Sequence, residues 1–300
     1  MGRITDSLNK IDNSKQNIDE LYSVFYSIDE LSIPIVRFFL GKDEFVLRLR
    51  INPKKEELEY VSDLTYPPYN VCRNFGRANI PYNSLFYCCY QTLEPNAVYS
   101  RILALLETSS FLKDASSKGI ERSTLSKWVI KEPLELLMMP FYAQYSRPNP
   151  LIDKIQEAWN KRVISEKVNE EGLELMNYMS QELGREAPDN ISYFKIANFI
   201  YYLLFINGKT KNVDGIIYPS VPAAGEGFNI VLKPASVDEK LQFDMASQML
   251  LYKNGEDSYF KLMNHSIGND ANGKLIFSPM PVDNNENEKL RKYEGLSFVN

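Results

Sequence analysis

One histidine, His265, and three cysteines, Cys72, Cys88 and Cys89, are all that this 300-residue chain has of those two residue types. The shortage excludes a good deal. A Ser–His triad needs an imidazole beside its nucleophile and a multi-histidine metal centre needs several, so a lone His265 in a Gly/Asn-rich stretch predicts neither. The cysteines form no CxxC pair, and an odd number without a secretion signal argues against a disulfide framework, so they read as small buried hydrophobes. Long apolar runs are missing too: the longest, residues 199–206, falls well short of the roughly 18 residues that cross a bilayer. Met1-Gly2-Arg3-Ile4-Thr5-Asp6 lacks the apolar core of a secretion signal, and Asp6 stands where a myristoylation signal takes Ser or Thr. A cytoplasmic protein with no membrane partner and no metal is expected. Excess basic charge is absent as well; the formal charge of −5 argues against a nucleic-acid-tracking surface, although it leaves room for a local anion pocket. No G-x-G-x-x-G opens a helix after a strand, and Walker A is missing.

What is present is the balance of a soluble globular chain, 44% hydrophobic and 24% charged. Ile4, Leu8, Ile11, Ile18, Leu21, Phe25 and Ile28 fall near helical spacing, which predicts one or two amphipathic helices in an N-terminal extension, residues 1–39. Residues 44–51 alternate as a strand, with Arg48 and Arg50 on one face and Leu47, Leu49 and Ile51 on the other. Residues 52–83, with Pro53, Pro67, Pro68 and Pro81, read as a long loop region, functional or disordered. A strand at 85–90 precedes a helix opening at Pro95 and ending near Glu107. Residues 128–130 and 134–139 read as short strands or apolar core segments. The charged helical texture of 151–184 is taken as an inserted helical pair, about 150–185. A helix over 192–206 is apolar almost all round, which predicts burial against a sheet. Strands follow at 213–218 and 228–232, and Ser236-Val237-Asp238-Glu239 matches a capping box opening a helix to about Tyr252. Residues 256–300 are Asn/Gly/Asp-rich and read as a polar C-terminal extension. Together these elements predict one α/β (α+β) domain over residues 40–255, built on a mixed, strongly bent sheet.

Several residues carry chemistry on their own account. Arg77 follows Gly76 in a loop before a strand, where it can grip a phosphate bidentately or pair with a surface carboxylate. Tyr87 lies midway along an apolar strand, as does a core aromatic whose hydroxyl finds a partner. Glu107 follows Ala104-Leu105-Leu106 at the C-terminal end of its helix, the unfavourable end for a carboxylate, so either another interaction holds it or it is simply exposed. Ser220 ends a strand after Pro219, and Asn229 interrupts Phe228-Ile230-Val231-Leu232. Gly225 and Gly227, after Ala223 and Ala224, allow close backbone approach, a weak signal for nucleotide binding.

In order, an arginine-bearing strand (Leu47-Arg48-Leu49-Arg50), a Gly76-Arg77-Ala78-Asn79 turn, a strand with Tyr87, a helix with Glu107, Asp214-Gly215-Ile216-Ile217-Tyr218-Pro219-Ser220 and an asparagine-bearing strand with Asn229 resemble the RES family. Its members are NAD-consuming enzymes related in fold to the ADP-ribosyltransferase toxins, and the likeness spans roughly residues 40–252. The resemblance implies an ADP-ribosyltransferase-like sheet and a cleft holding NAD, as substrate, in a bent conformation. It implies that Arg48 and Arg77 engage the pyrophosphate, Arg48 fitting the family's order better than Arg50. Tyr87 would pack on the nicotinamide or ribose, Ser220 fix a ribose or amide oxygen, Asn229 brace the pocket and Glu107 face the nicotinamide ribose. A carboxylate there stabilises the oxocarbenium-like state formed as nicotinamide leaves. The acceptor, whether water, phosphate or a protein side chain, stays open. The chain is longer than the compact RES toxins of toxin–antitoxin pairs, and its extra parts leave open an antitoxin partner, self-association or gating of the cleft.

Three functions follow: an NAD-degrading or ADP-ribosylating toxin or defence effector, a glycoside-processing hydrolase lacking a nameable second carboxylate, and a catalytically silent module that senses nucleotides or binds a partner.

Overall fold

Alternating and continuous apolar runs of this kind yield both half-buried and fully buried strands, and the computed structural model contains both. It describes residues 2–28, 33–52, 56–90, 100–139, 150–165, 169–185, 188–220, 223, 227–281 and 285–299. In chain order the elements are α1 (Arg3–Lys10), α2 (Ile18–Tyr26), β1 (Arg37–Leu40), β2 (Phe45–Ile51), α3 (Val61–Leu64), β3 (Phe86–Tyr90), α4 (Ser100–Thr108), α5 (Ser110–Lys113), β4 (Lys118–Ile130) and β5 (Leu134–Met138). They continue with α6 (Pro150–Ser165), α7 (Glu170–Gly184), α8 (Phe194–Tyr201), β6 (Gly215–Pro219), β7 (Phe228–Leu232), α9 (Pro234–Lys240), β8 (Leu241–Asn254), β9 (Asp257–Asn269), β10 (Leu275–Pro279) and α10 (Glu286–Leu290). The fold is therefore mixed α/β. Two compact units interleave along the chain: Met1–Gly41, Pro67–Tyr87 and Glu132–Lys240 form the first, Lys42–Tyr66, Cys88–Lys131 and Leu241–Asn300 the second. The boundary falls inside β3, between Tyr87 and Cys88.

In the first unit β1 pairs antiparallel with β5, β5 parallel with β6, and β6 antiparallel with β7. Every residue of β6 and β7 is buried, as their unbroken apolar sequence requires. The apolar helix expected over 192–206 is α8 followed by a π-helical turn, Tyr202–Ile206. Its buried Phe199 and Tyr202 meet Phe25 of α2 at ring distances of 5.4 and 5.6 Å. Helices α6 and α7 occupy the stretch expected as a helical pair. Glu174 of α7 accepts from the Ile4 and Thr5 N–H groups at 3.3 and 2.8 Å, satisfying orphan donors at the start of α1.

In the second unit the Cys88–Tyr90 end of β3, then β2, β4, β8, β9 and β10 pair in that order, all antiparallel. Two expectations are corrected. The helix expected from Ser236 to about Tyr252 ends at Lys240, and the chain continues as β8, paired with β4 over its whole length. Leu241 and Phe243 alternate with Gln242 and Asp244, a period-2 pattern that pairing with β4 realises up to a bulge at Asp244. The stretch after Asn254, read as a polar extension, supplies β9 and β10. The two-residue loop Gly255-Glu256, with Gly255 at φ +68°, is the kind of hairpin turn in which glycine leads. The helix expected from Pro95 begins at Ser100 among the described residues; Pro95 itself lies outside them. No helix among the described residues is long and apolar enough to cross a membrane.

Candidate functional site

The Gly76-Arg77-Ala78-Asn79 segment and Tyr87 form one hydrogen-bonded assembly. Gly76 N–H donates to the Asn79 carbonyl at 2.9 Å. The Tyr87 hydroxyl accepts from Ala78 N–H at 3.0 Å and donates to Asn79 Oδ1 at 2.8 Å. A Cβ at position 76 would collide with Asn79 Oδ1 and stand 3.3 Å from the Tyr87 hydroxyl, so a larger residue there would push the Asn79 side chain off Tyr87. Burial pushes the Tyr87 hydroxyl up, against its backbone hydrogen bond and the nearby Arg77 charge, and keeps it a donor at neutral pH. Asn79 is thus a positioning residue that the sequence displayed without revealing its task. Arg77 Nη1 donates to the Leu183 carbonyl at 3.0 Å, where α7 ends, and its guanidinium lies 5.8 Å from the Tyr193 ring centre. Cations favour helix C-termini, so this contact gives Arg77 a place in the fold. In the same loop, exposed Tyr82 holds φ +60°, a strained conformation for a bulky residue.

The Asp214–Ser220 segment is likewise held by specific contacts. Asp214 Oδ1 accepts from the Ser236 hydroxyl at 2.8 Å, and Oδ2 accepts from Lys240 Nζ at 2.8 Å and Glu135 N–H at 2.7 Å. The Ser236 of the expected capping box therefore spends its hydroxyl on Asp214. A Cβ on Gly215 would run into the Val231 carbonyl, so strand β7 approaches β6 too closely for any larger residue. Ser220 is fully buried; its N–H donates to the Gly227 carbonyl at 2.8 Å and its Oγ accepts from Ala223 N–H at 3.2 Å, closing the β6–β7 connection. Asn229 is buried opposite Tyr218. Gly225 and Ala224 lie outside the described residues.

In the second unit, strand β3 passes beside two charges. Alternation sends Cys88 and Cys89 to opposite faces. Burial pushes both thiols up; the Arg48 guanidinium opposes this at both, and the Glu107 carboxylate reinforces it at Cys89. Arg48 of β2 and Glu107 of α4 therefore come within electrostatic reach of one cysteine, and that thiol stays protonated. Arg50 is engaged elsewhere, its Nη1 donating to the Asp63 carbonyl. Just after Glu107 lies a second, unforeseen cluster. The buried Ser109 hydroxyl donates to Glu121 Oε1 at 2.6 Å and accepts from Leu112 N–H at 2.9 Å, while Lys253 Nζ donates to the Leu112 and Asp114 carbonyls at 2.9 and 2.6 Å. Burial pushes the Glu121 carboxyl up despite the Ser109 hydrogen bond. Glu121 and Ser123 are both buried in β4, but Arg122, Thr124, Ser126 and Lys127 beside them make the strand look polar, so the sequence carried no clear signal for it.

Arg77, Tyr87, Ser220 and Asn229 thus lie in the first unit, and Arg48 and Glu107 in the second. Among the described residues no group of three His, Cys, Asp or Glu side chains is placed to hold a metal ion. No protein-family model matches the chain, and no curated protein matches it.

Proposed function

We propose that the protein is an NAD-consuming enzyme that breaks the nicotinamide–ribose bond, of RES type and ADP-ribosyltransferase-like fold, acting as an intracellular toxin or defence effector. The order of the sequence pattern supports this reading, and one observation carries it furthest: α4, which bears Glu107, packs against β2, which bears Arg48. In this reading the C1′–N bond breaks heterolytically, nicotinamide leaves with the electron pair, and the Glu107 carboxylate stabilises the positive charge left on the ribose. Water, phosphate or a side chain then adds at C1′ and releases its proton. A charge that acts chiefly in the transition state raises turnover without tightening NAD binding.

The test is nicotinamide release from NAD, with and without phosphate, by the parent and by Glu107→Gln. The variant is expected to lose about a hundredfold in turnover, or roughly 3 kcal/mol, with little change in KM. Parent-like turnover would remove Glu107 from the mechanism. A second reading, a silent nucleotide-sensing or partner-binding module, draws on the Arg77 and Tyr87 contacts, since Nη1 and the hydroxyl serve the fold. NAD binding by the parent without any product favours that module.

A further inference from the structure

In the second unit, a cavity of about 190 Å³ opens on the sheet formed by β4, β8, β9 and β10. Arg122, Gln248, Met249, Met263, Asn264 and Phe277 line it, with Glu57 at hand. The pairing of β8 and β9 shifts here: Gln248 opposes Asn264 and Met249 opposes Leu262, so Met263 is the extra, bulged residue. Bulges re-aim side chains and gather beside functional sites.

The polar groups of this cavity are incompletely matched. Asn264 Nδ2 donates to Gln248 Oε1 at 2.7 Å, which leaves Gln248 Nε2 and Asn264 Oδ1 buried with no hydrogen-bond partner. Gln248 is only 2% exposed. Turning both amides over exchanges their roles but keeps the balance, one spare donor beside one spare acceptor. Arg122 Nε is a third buried group without a partner; the Arg122 Nη1 is held by Glu57 at 2.8 Å, and the guanidinium lies 5.7 Å from the Phe298 ring centre. Buried polar groups left unpaired are rare in folded proteins and carry a desolvation cost that a matching ligand removes.

We propose that this cavity binds a small planar ring bearing an amide edge, a lactam or ring carboxamide. Its carbonyl accepts from one protein amide while its N–H donates to the other. Size agrees, because a cavity of about 150 Å³ accommodates benzene. The walls agree as well, since Met249 and Met263 offer adaptable, polarizable thioethers and Phe277 an aromatic surface. A carboxylate fits less well: it brings two acceptors to a donor and an acceptor, and Glu57 already offsets the Arg122 charge. This inference is independent of the NAD reading and concerns other residues.

The probe is 2-pyridone, titrated into full-length protein carrying 13C-methyl methionine, with N-methyl-2-pyridone and benzoate as comparators. Saturable movement of the Met249 and Met263 signals is expected for 2-pyridone, with the donor-blocked analogue and benzoate at least about tenfold weaker, equivalent to about 1.4 kcal/mol. Gln248→Leu should weaken 2-pyridone by a similar factor while the other methionine signals stay in place. If that buried substitution disturbs folding, Met263→Ala, at a position 37% exposed, serves instead and should weaken binding several-fold with the amide pair intact. The proposal is overturned by no saturable movement at these two methionines, by benzoate or N-methyl-2-pyridone binding as well as 2-pyridone, or by a folded variant that binds like the parent.

Discussion

Tyr87→Phe keeps the aromatic ring and removes a single oxygen, which separates what the hydroxyl does for the fold from what the ring does for a ligand. Ala78 is 1% exposed, and its N–H would lose its acceptor. A buried donor left unmade costs about 1–3 kcal/mol. Asn79 belongs to a partly exposed residue whose Oδ1 can turn to water, so its loss adds at most about 1 kcal/mol. The expected destabilisation is about 2–3 kcal/mol. The chain supplies its own reporters, because of its two tryptophans Trp159 lies buried in the first unit with Tyr87, and Trp128 lies in the second. In a Trp128→Phe background, urea unfolding is followed by Trp159 emission, a reporter that lies in the first unit. With a slope of about 3 kcal/mol per molar, the midpoint should fall by about 0.8 M. Where the variant is folded, its KM for NAD should stay within about twofold of the parent if the ring alone meets the substrate. A midpoint within about 0.2 M of the parent would refute the hydroxyl's role in fixing the turn.

Asp214→Asn presents an amide N–H to donors that now meet two carboxylate oxygens, while Lys240 keeps partial exposure and the Pro133 carbonyl. A cost of about 2–4 kcal/mol is expected by the same Trp159 titration, and a cost below about 0.5 kcal/mol would show the network to be dispensable. For Glu121, burial raises the folded carboxyl's pKa, so the folded state binds this proton more tightly than the unfolded chain does. Stability from this group is therefore complete below the unfolded carboxyl's pKa and is lost as pH rises through the folded value. Glu121→Gln, which keeps an acceptor for the Ser109 hydroxyl, should raise Tm at pH 7 and do so much less at pH 4; equal effects at the two pH values would contradict this.

Short apolar strands were the most legible part of the fold. For β2, β3, β6 and β7 the local pattern and the tertiary demand agree, and their bounds differ from expectation by a residue or two. The misreading of β8 has a physical cause: Ser236-Val237-Asp238-Glu239 carries a genuine helical signal, and α9 forms there, but its stop is set by pairing with β4 more than a hundred residues earlier. Strand β9 hides in polar composition, because much of it is half-exposed and carries Asn, Ser and Lys, and β10 is a run of only five residues, most of them exposed. Only Asn254-Gly255 announced the hairpin. Interleaving of two units was beyond reach, since each unit is assembled from three separated stretches of chain. For the candidate site, Tyr87 has the partner that a core tyrosine needs, whereas the Arg77 contact, a helix-end carbonyl, is invisible in a loop sequence.

The segments that carry most of the family likeness also have reasons of their own in the fold. Gly76 admits the turn, Asp214 gathers three donors, Gly215 lets β7 approach, and Ser220 closes a connection. Their presence therefore says less about a ligand than their order first suggests. Glu107 is the residue on which the proposed chemistry turns. It sits next to last in α4, where the helix dipole disfavours a carboxylate by about 0.3–1 kcal/mol, and its charge works against ionisation of the neighbouring Cys89 thiol. On the proposed function, Glu107→Gln should lower nicotinamide release about a hundredfold while the urea midpoint, followed by Trp128 emission in a Trp159→Phe background, stays within about 0.2 M of the parent. A variant that is less stable than the parent yet fully active would reverse the assignment, making Glu107 a structural carboxylate and leaving the catalytic charge to be sought elsewhere.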